Sequence, residues 1–308
     1  MIVIVCPGQG SQTPGFLSPW LELPTFRQSL ATMSQASGLE LEAFGTTADA
    51  DTIRDTAVAQ PLIVAAGVAS LAELLSGTSP SDAGIAGVAG HSVGEITAAI
   101  AAGIFTPQDG IKFVKQRGDA MAKAAALEPT SMAAVLGGDQ ATVEARLAEL
   151  GLEPANYNGG GQIVAAGSID GIAQLQAAGP EGSRVIPLQV AGAFHTRYMA
   201  PAVATLDEYS ASVPVNDPSV QIWSNAGGVK VSSGADFVTK LVNQVKSPVR
   251  WDLVMASLAD AGVTAIIEVA PAGTLVGLAK RSLPGVELLA LKTPDNLEAA
   301  RQLILDHK

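Results

Sequence analysis

The sequence predicts an α/β fold: a parallel sheet covered by helices, with a smaller domain inserted. Three observations predict it. The first part of the chain alternates short apolar segments with helical ones. The middle reads β-α-β-β-α-β. The 308 residues are 48% hydrophobic and 15% charged, a length and balance that can bury a sizeable core without disulfide or metal staples.

The elements follow in order. Ile2–Cys6 is apolar at every position, as expected of a strand buried on both faces, and Pro7-Gly8 ends it. Ser18–Ser37 is loosely helical. Gln60–Leu75 keeps helical spacing through Leu62, Ala65, Ala66, Ala69, Ala72 and Leu75, with Pro61 suited to a first turn. Ile85–Ala89 is a short strand. Val93–Ala102 is a helix with Val93, Ile96, Thr97 and Ile100 on one face and Gly103 as its C′ residue. Pro107–Ala126 reads as a further helix. This alternation favours a parallel sheet.

Ser131–Leu136 then reads as a strand, and Gln140–Leu150 as a helix with Val143, Leu147 and Leu150 inward. Pro154–Tyr157 and Ile163–Ala166 are strands around the turn Asn158-Gly159-Gly160-Gly161. Ile169–Ala178 is helical and Arg184–Leu188 a strand. That order within about 60 residues is the split βαβ unit of ferredoxin-like domains. The expected division is a large domain of residues 1–128 and 194–308 and a small one of residues 129–193. Gln221–Ser224 and Ala265–Val269 are late strands. Phe237–Val245, started by Ser233 or Asp236, and Trp251–Ala261 are late helices.

Composition narrows the function. A net charge of −11 disfavours nucleic acid as a partner. No uninterrupted apolar run approaches the roughly 18–20 residues of a membrane span. The first residues lack a basic n-region and a long h-region, so a cytoplasmic location is expected. One cysteine excludes an internal disulfide framework and a multi-cysteine zinc site, and no metal or cofactor is expected. Cys6, inside a strand, reads as a core residue, with a catalytic thiol the lesser alternative. Charge is uneven: residues 1–229 hold nine basic and 21 acidic side chains, net −12, whereas residues 230–308 hold nine and eight, net +1. An acidic partner would approach the C-terminal third, although an ordinary mixed surface would look the same.

Gly90-His91-Ser92-Val93-Gly94 fits G-x-S-x-G, the nucleophile elbow of α/β-hydrolase-like sheets. There a tight strand-to-helix turn lifts the serine hydroxyl to the positive end of a helix, and glycines give room for the turn. A glycine-rich turn with a capping serine is the alternative. A serine nucleophile needs a base. Of three histidines, His307 lies at the C-terminus, where fraying is expected, and His91 adjoins the serine and should point away. His195, in Ala193-Phe194-His195, is the base by elimination. Its orienting group is left open between a carboxylate and a backbone carbonyl. Pro7-Gly8-Gln9-Gly10-Ser11-Gln12 is neither a P-loop nor a dinucleotide fingerprint, and fits an oxyanion-binding loop or a plain turn. Arg117 could pair both oxygens of a carboxylate, or lie on the surface.

Together, P-G-Q-G-S-Q at 7–12, G-H-S-x-G-E at 90–95, the arginine at 117 and A-F-H at 193–195 resemble the malonyl-CoA:acyl carrier protein transacylases of bacterial fatty-acid synthesis and the acyltransferase domains of polyketide synthases. Ser18-Pro19-Trp20-Leu21 and Pro248–Leu253 look actinobacterial. The resemblance implies that Ser92 is acylated and His195 is its base. Gln9 and the Val93 N–H would form the oxyanion hole, and Arg117 would pair with the malonyl carboxylate. An acetyl group would leave that buried charge unpaired, at a cost of several kcal/mol. Asn158 would line the pocket, and the Phe194 ring would restrict an α-methyl branch. Many relatives carry glutamine where Arg250 is placed, with its carbonyl orienting the histidine. Arg250 would keep that carbonyl, or meet the carrier protein or CoA phosphates. The implied partners are an acyl carrier protein and a CoA thioester, with the enzyme a monomer. The rival readings are a serine thioesterase or esterase of the α/β-hydrolase class, and a non-catalytic carrier-binding module.

Overall fold

The computed structural model describes residues 1–307. It is a mixed α/β structure. The N-terminal part runs β1 (Ile2–Cys6), α1 (Pro24–Ser37), α2 (Leu41–Thr46), α3 (Thr56–Leu75), β2 (Ile85–Gly90), α4 (Gly94–Ala101) and α5 (Pro107–Ala125). The middle runs β3 (Thr130–Gly137), α6 (Gln140–Glu149), β4 (Glu153–Gly159), β5 (Gln162–Ser168), α7 (Ile169–Ala177) and β6 (Ser183–Leu188). The rest runs α8 (Ala200–Ser210), β7 (Gln221–Trp223), β8 (Lys230–Val231), α9 (Gly234–Gln244), β9 (Val249–Arg250), α10 (Trp251–Asp260), β10 (Ala265–Glu268), α11 (Thr274–Ser282), β11 (Glu287–Ala290) and α12 (Leu297–Asp306).

Six strands form one sheet in the order β11-β10-β1-β2-β7-β8, parallel except at the β7–β8 edge. β1 lies at its centre, and its side chains alternate between two cores. Ile2, Ile4 and Cys6 join the cluster that includes α1, α3, α4 and α5. Val3 and Val5 join Trp251, Val254, Leu275 and Leu278 on the other face. Helices on both faces explain the unbroken apolar run of β1. Cys6 is wholly buried, and burial pushes its thiol pKa up. That environment suits packing rather than attack.

The second sheet has the order β6-β3-β5-β4-β9, antiparallel except that β9 runs parallel to β4. α6 and α7 cover one face over Val135, Val143, Leu147, Ile172 and Leu175. β9 comes from beyond the middle segment, so the C-terminal third extends this sheet. A two-residue strand between Pro248 and Trp251 carries no alternation to announce it.

Several expectations are corrected. Asp55 caps α3 through the Ala57 N–H at 2.8 Å, so the helix starts earlier than Gln60 and Pro61 lies inside it. α3 is long and apolar enough to cross a membrane, with a mean hydropathy of 1.8, although polar residues interrupt it. It is buried in the core, packed chiefly on α5. Leu150 is half-buried, beyond the end of α6. Asn158 belongs to β4 rather than to the turn, which is Gly160-Gly161. His307 is held, by Thr264 Oγ1 at 2.8 Å and by Glu287 at 3.2 Å.

Candidate active site

Ser92 sits where β2 passes into α4. A Cβ at Gly90 would lie 2.1 Å from the Gly94 backbone, and one at Gly94 would lie 2.1 Å from the Cys6 carbonyl oxygen. Both contacts are to backbone, so no rotamer could relieve them, and the turn requires glycine at each end. Ser92 itself has φ 53°, a left-handed conformation that costs a serine on the order of 1 kcal/mol. Two hydrogen bonds hold it: His91 N–H to the Cys6 carbonyl at 3.0 Å, and Ser92 N–H to Asn225 Oδ1 at 2.8 Å.

His195 Nε2 lies 2.7 Å from Ser92 Oγ. Its Nδ1 lies 2.9 Å from the Gln244 carbonyl oxygen. A carbonyl only accepts, so Nδ1 carries the proton and Nε2 offers its lone pair to the hydroxyl. Burial, and then the Arg117 charge, lower the His195 pKa to about 3, against the pull of the Gln244 carbonyl. The imidazole is therefore neutral at ordinary pH. The residue has φ 62°, and its loop is pinned by His195 N–H to the Val245 carbonyl and Ala193 N–H to Thr130 Oγ1.

Arg117, in α5, is 1% exposed. Its Nη1 donates to Gln60 Oε1 at 2.6 Å and its Nη2 to Gln244 Oε1 at 2.8 Å. Nη2 also stands 3.4 Å from Ser92 Oγ, while Nε has no partner among the described residues. Burial lowers the Arg117 pKa and the nearby Glu95 charge opposes the shift. The guanidinium stays charged at the floor of a cavity of about 570 Å³. With Gln60, Gln244 and Glu95 around it, the group is less bare than its residue type alone suggested.

The remaining candidates divide. Gln9 and Val93 line the cavity, and neither backbone N–H has an acceptor among the described residues. The Gln9 side chain is tied to the Arg54 carbonyl at 3.2 Å. Phe194 is buried in the cavity wall. Asn158 lines the cavity and its Oδ1 meets His91 Nε2 at 2.9 Å, so His91 faces β4 rather than the serine. Arg250 does not line the cavity. Its guanidinium grips Asp252 at 2.9 and 2.7 Å and lies over the Tyr157 ring at 4.5 Å, because β9 pairs beside β4 and turns it that way. The carbonyl at His195 is that of Gln244. The expectation that Arg250 supplies that carbonyl is thus corrected: it comes from Gln244, six positions earlier, at the end of α9.

Sequence reasoning assigned no role to Gln60, Asn225, Glu95 or Gln244. Glu95 alone carried a signal, as the last letter of G-H-S-x-G-E.

Residues 3–292 match the acyl transferase domain family. Over 303 residues the chain is 48% identical to the malonyl CoA-acyl carrier protein transacylase of Mycobacterium bovis, across 98% of this chain and 100% of that protein. It matches the crystal structure of MCAT from Mycobacterium tuberculosis with a TM-score of 0.94 and 48% identity, over 98% of this chain and 99% of that one. It also matches a malonyl-transacylase solved in complex with its type II PKS acyl-carrier protein, with a TM-score of 0.90 and 27% identity, over 98% and 99% of the two chains.

Proposed function

This chain belongs to the acyl transferase family, and on that premise we propose that it carries malonyl from malonyl-CoA to the phosphopantetheine thiol of an acyl carrier protein, supplying fatty-acid synthesis. One observation carries the reading: Ser92 Oγ lies 2.7 Å from a neutral imidazole nitrogen and 3.4 Å from a buried guanidinium. A nucleophile and a carboxylate receptor so close together suit an acyl group that ends in a short acid.

The chemistry follows from the placement. Malonyl-CoA enters with its free carboxylate toward Arg117. His195 Nε2 takes the Ser92 proton as Oγ adds to the thioester carbonyl. The oxyanion is met by the Gln9 and Val93 N–H groups, at the positive end of α4. The C–S bond breaks, the imidazolium returns its proton to the CoA sulfur, and a malonyl ester remains on Ser92. The carrier thiol then gives its proton to His195 and attacks the ester; Oγ leaves and regains the proton. Phe194 narrows the space beside the malonyl α-carbon, and Asn158 borders the pocket. Arg250 falls outside this scheme.

Several companions belong to the same proposal. The large domain, residues 1–128 and 194–308, is α/β-hydrolase-like. Residues 129–193 form a ferredoxin-like insert, supported by the β6-β3-β5-β4 order. The enzyme works as a cytoplasmic monomer with no cofactor beyond its CoA substrate; a single buried, unpaired cysteine fits a reducing compartment. Transfer is favoured over hydrolysis because His195 Nδ1 meets a carbonyl rather than the carboxylate of an α/β-hydrolase triad.

Intact mass spectrometry after malonyl-CoA addition is the test. A malonyl adduct is expected on the natural chain and none on Ser92→Ala. An adduct unchanged in that variant removes Ser92 from the mechanism. CoA release with no malonyl-carrier product points to a hydrolase, and a natural chain that never labels points to a binding module.

A further inference from the structure

The acyl-transfer scheme leaves a buried carboxylate beside its own residues without a task. Glu95, in the first turn of α4, is 1% exposed. Its Oε1 accepts the Asn225 N–H at 2.6 Å, and its Oε2 accepts from Gln244 Nε2. Each partner has a second duty at the reacting atoms. Asn225 Oδ1 accepts the Ser92 N–H at 2.8 Å, and its Nδ2 donates to the Gly90 carbonyl at 2.7 Å, so it grips both sides of the elbow. Gln244 offers its backbone carbonyl to His195 Nδ1 and its Oε1 to Arg117. The Gln244 amide is thus a bridge between a carboxyl and a guanidinium. Its NH₂ must face the carboxylate and its oxygen the guanidinium; reversed, it would set donor against donor.

We propose that Glu95 is a positioning residue for acyl transfer: through Gln244 it fixes the carbonyl that holds His195 as the Nδ1–H tautomer, and through Asn225 it fixes the turn that carries Ser92. The role rests on the acyl-transfer reading. Burial raises the Glu95 pKa, while hydrogen bonds from Asn225, Ser224 and Gln244 and the charge of Arg117 oppose the shift. A buried carboxyl is a poor device for stability alone, because apolar packing of similar volume usually serves as well. Here its bonds to Asn225 and Gln244 lead, in one further step, to Ser92, His195 and Arg117.

The test has two readouts. The chain has three histidines, so a ¹⁵N-histidine spectrum of the substrate-free protein shows three imidazoles and reports the His195 tautomer directly. Rapid-quench intact mass then gives both the rate and the final extent of Ser92 malonylation. Glu95→Gln should mix the His195 tautomers and slow acylation about tenfold or more, with the final adduct equal to that of the natural chain. The double variant E95Q/Q244E transposes the amide and the carboxylate: the net charge is kept and a donor still faces an acceptor at each link from Asn225 to Arg117, with the middle hydrogen bond reversed in direction. It should recover the single tautomer and bring the rate closer to that of the natural chain than to that of E95Q.

A Glu95→Gln variant with the natural tautomer and a rate within about twofold overturns the proposal. A lower final adduct at unchanged rate also overturns it, since that marks a misfolded fraction. Should Glu95→Gln fail to fold, the double variant decides alone: recovery of the single tautomer supports the role, and mixed tautomers overturn it. If the natural chain forms no malonyl adduct, the acyl-transfer reading fails, and the tautomer comparison still judges Glu95.

Discussion

The two sides of Ser92 are built by different means. Its backbone side is mostly local: five consecutive residues, Gly90 to Gly94, make the turn, with no side chains where Cys6 and Gly94 press in, and Asn225 ties its two sides. Its acid-facing side is assembled. Gln60 comes from α3, Glu95 from α4, Arg117 from α5 and Gln244 from α9, and they meet only when the whole large sheet is dressed with its helices. A turn set by sterics should fail outright when disturbed. A network of replaceable contacts should lose selectivity before it loses chemistry.

The sharpest way to break that contrast is Gly94→Ala. The new methyl would lie 2.1 Å from the Cys6 carbonyl oxygen and 2.7 Å from that of Pro7. Backbone must move, and overpacking of this kind costs about 3 kcal/mol or more. We expect no detectable acyl-enzyme by mass spectrometry and a clear fall in melting temperature. A variant that acylates at the natural rate would show that the elbow is not set by local sterics.

Arg117→Ala probes the assembled side. Malonyl transfer should fall about 100-fold or more, while acetyl transfer changes less than about tenfold, because only the malonyl acid loses its partner. The variant also removes the cation that holds the Glu95 pKa down, so that buried carboxyl takes up a proton more readily. The informative quantity is therefore the malonyl-to-acetyl ratio on folded protein. Equal losses with both acyl groups would make the arginine a structural strut.

This contrast also decides what the sequence disclosed. The elbow was legible because its determinants are contiguous, and paired glycines around a serine signal a turn too crowded for side chains. β1, α5 and the β-α-β-β-α-β middle were legible from periodicity. The orienter of His195 was not, because a backbone carbonyl belongs to any residue, and the resemblance pointed six positions too far, to Arg250. Gln60 and Asn225 were invisible for a related reason: an uncharged amide gains its role only from what packs against it. The short strands β8, β9 and β11 lacked the length to show alternation, so the extension of the second sheet by β9 went unseen.

A smaller effect concerns pH. Burial and the Arg117 charge bring the His195 pKa from 6.5 down to about 3. A base acts when unprotonated, so lowering its pKa extends activity toward acid. The imidazole should therefore add no limb near 6.5 to the rate of Ser92 malonylation and should cut it only as the pH drops toward the folded-state value; a limb near 8 would belong to the Glu95 carboxyl, whose pKa burial raises to about 8. The same depressed pKa lends stability that is fully present above about 6.5 and is lost as the pH falls toward 3. An acid limb centred near 6.5 in the rate profile would mean that the imidazole is far better solvated than its position beside Arg117 implies.

The smallest expected effect lies farthest from the serine. α11 runs from inside the cavity to the outside: Thr274, Leu275 and Leu278 line it, and the exposed Lys280 and Arg281 stand at its other end. Arg281 packs against Gly160 and reaches Gln162, another lining residue, at 3.3 Å. These two cations lie in residues 230–308, with net charge +1, against −12 for the remainder. An acidic carrier would be steered to this end of the cavity, whereas malonyl-CoA can rely on contacts within it. The double reversal K280E/R281E should lower kcat/KM for carrier protein about fivefold, with the difference shrinking as salt is added. Malonylation of Ser92 by malonyl-CoA should stay within about twofold of the natural rate. A loss of similar size in both half-reactions would place the two cations in the CoA path and leave the carrier to dock elsewhere. That result would leave the contrast between elbow and acid clamp standing, because neither depends on how the thiol arrives.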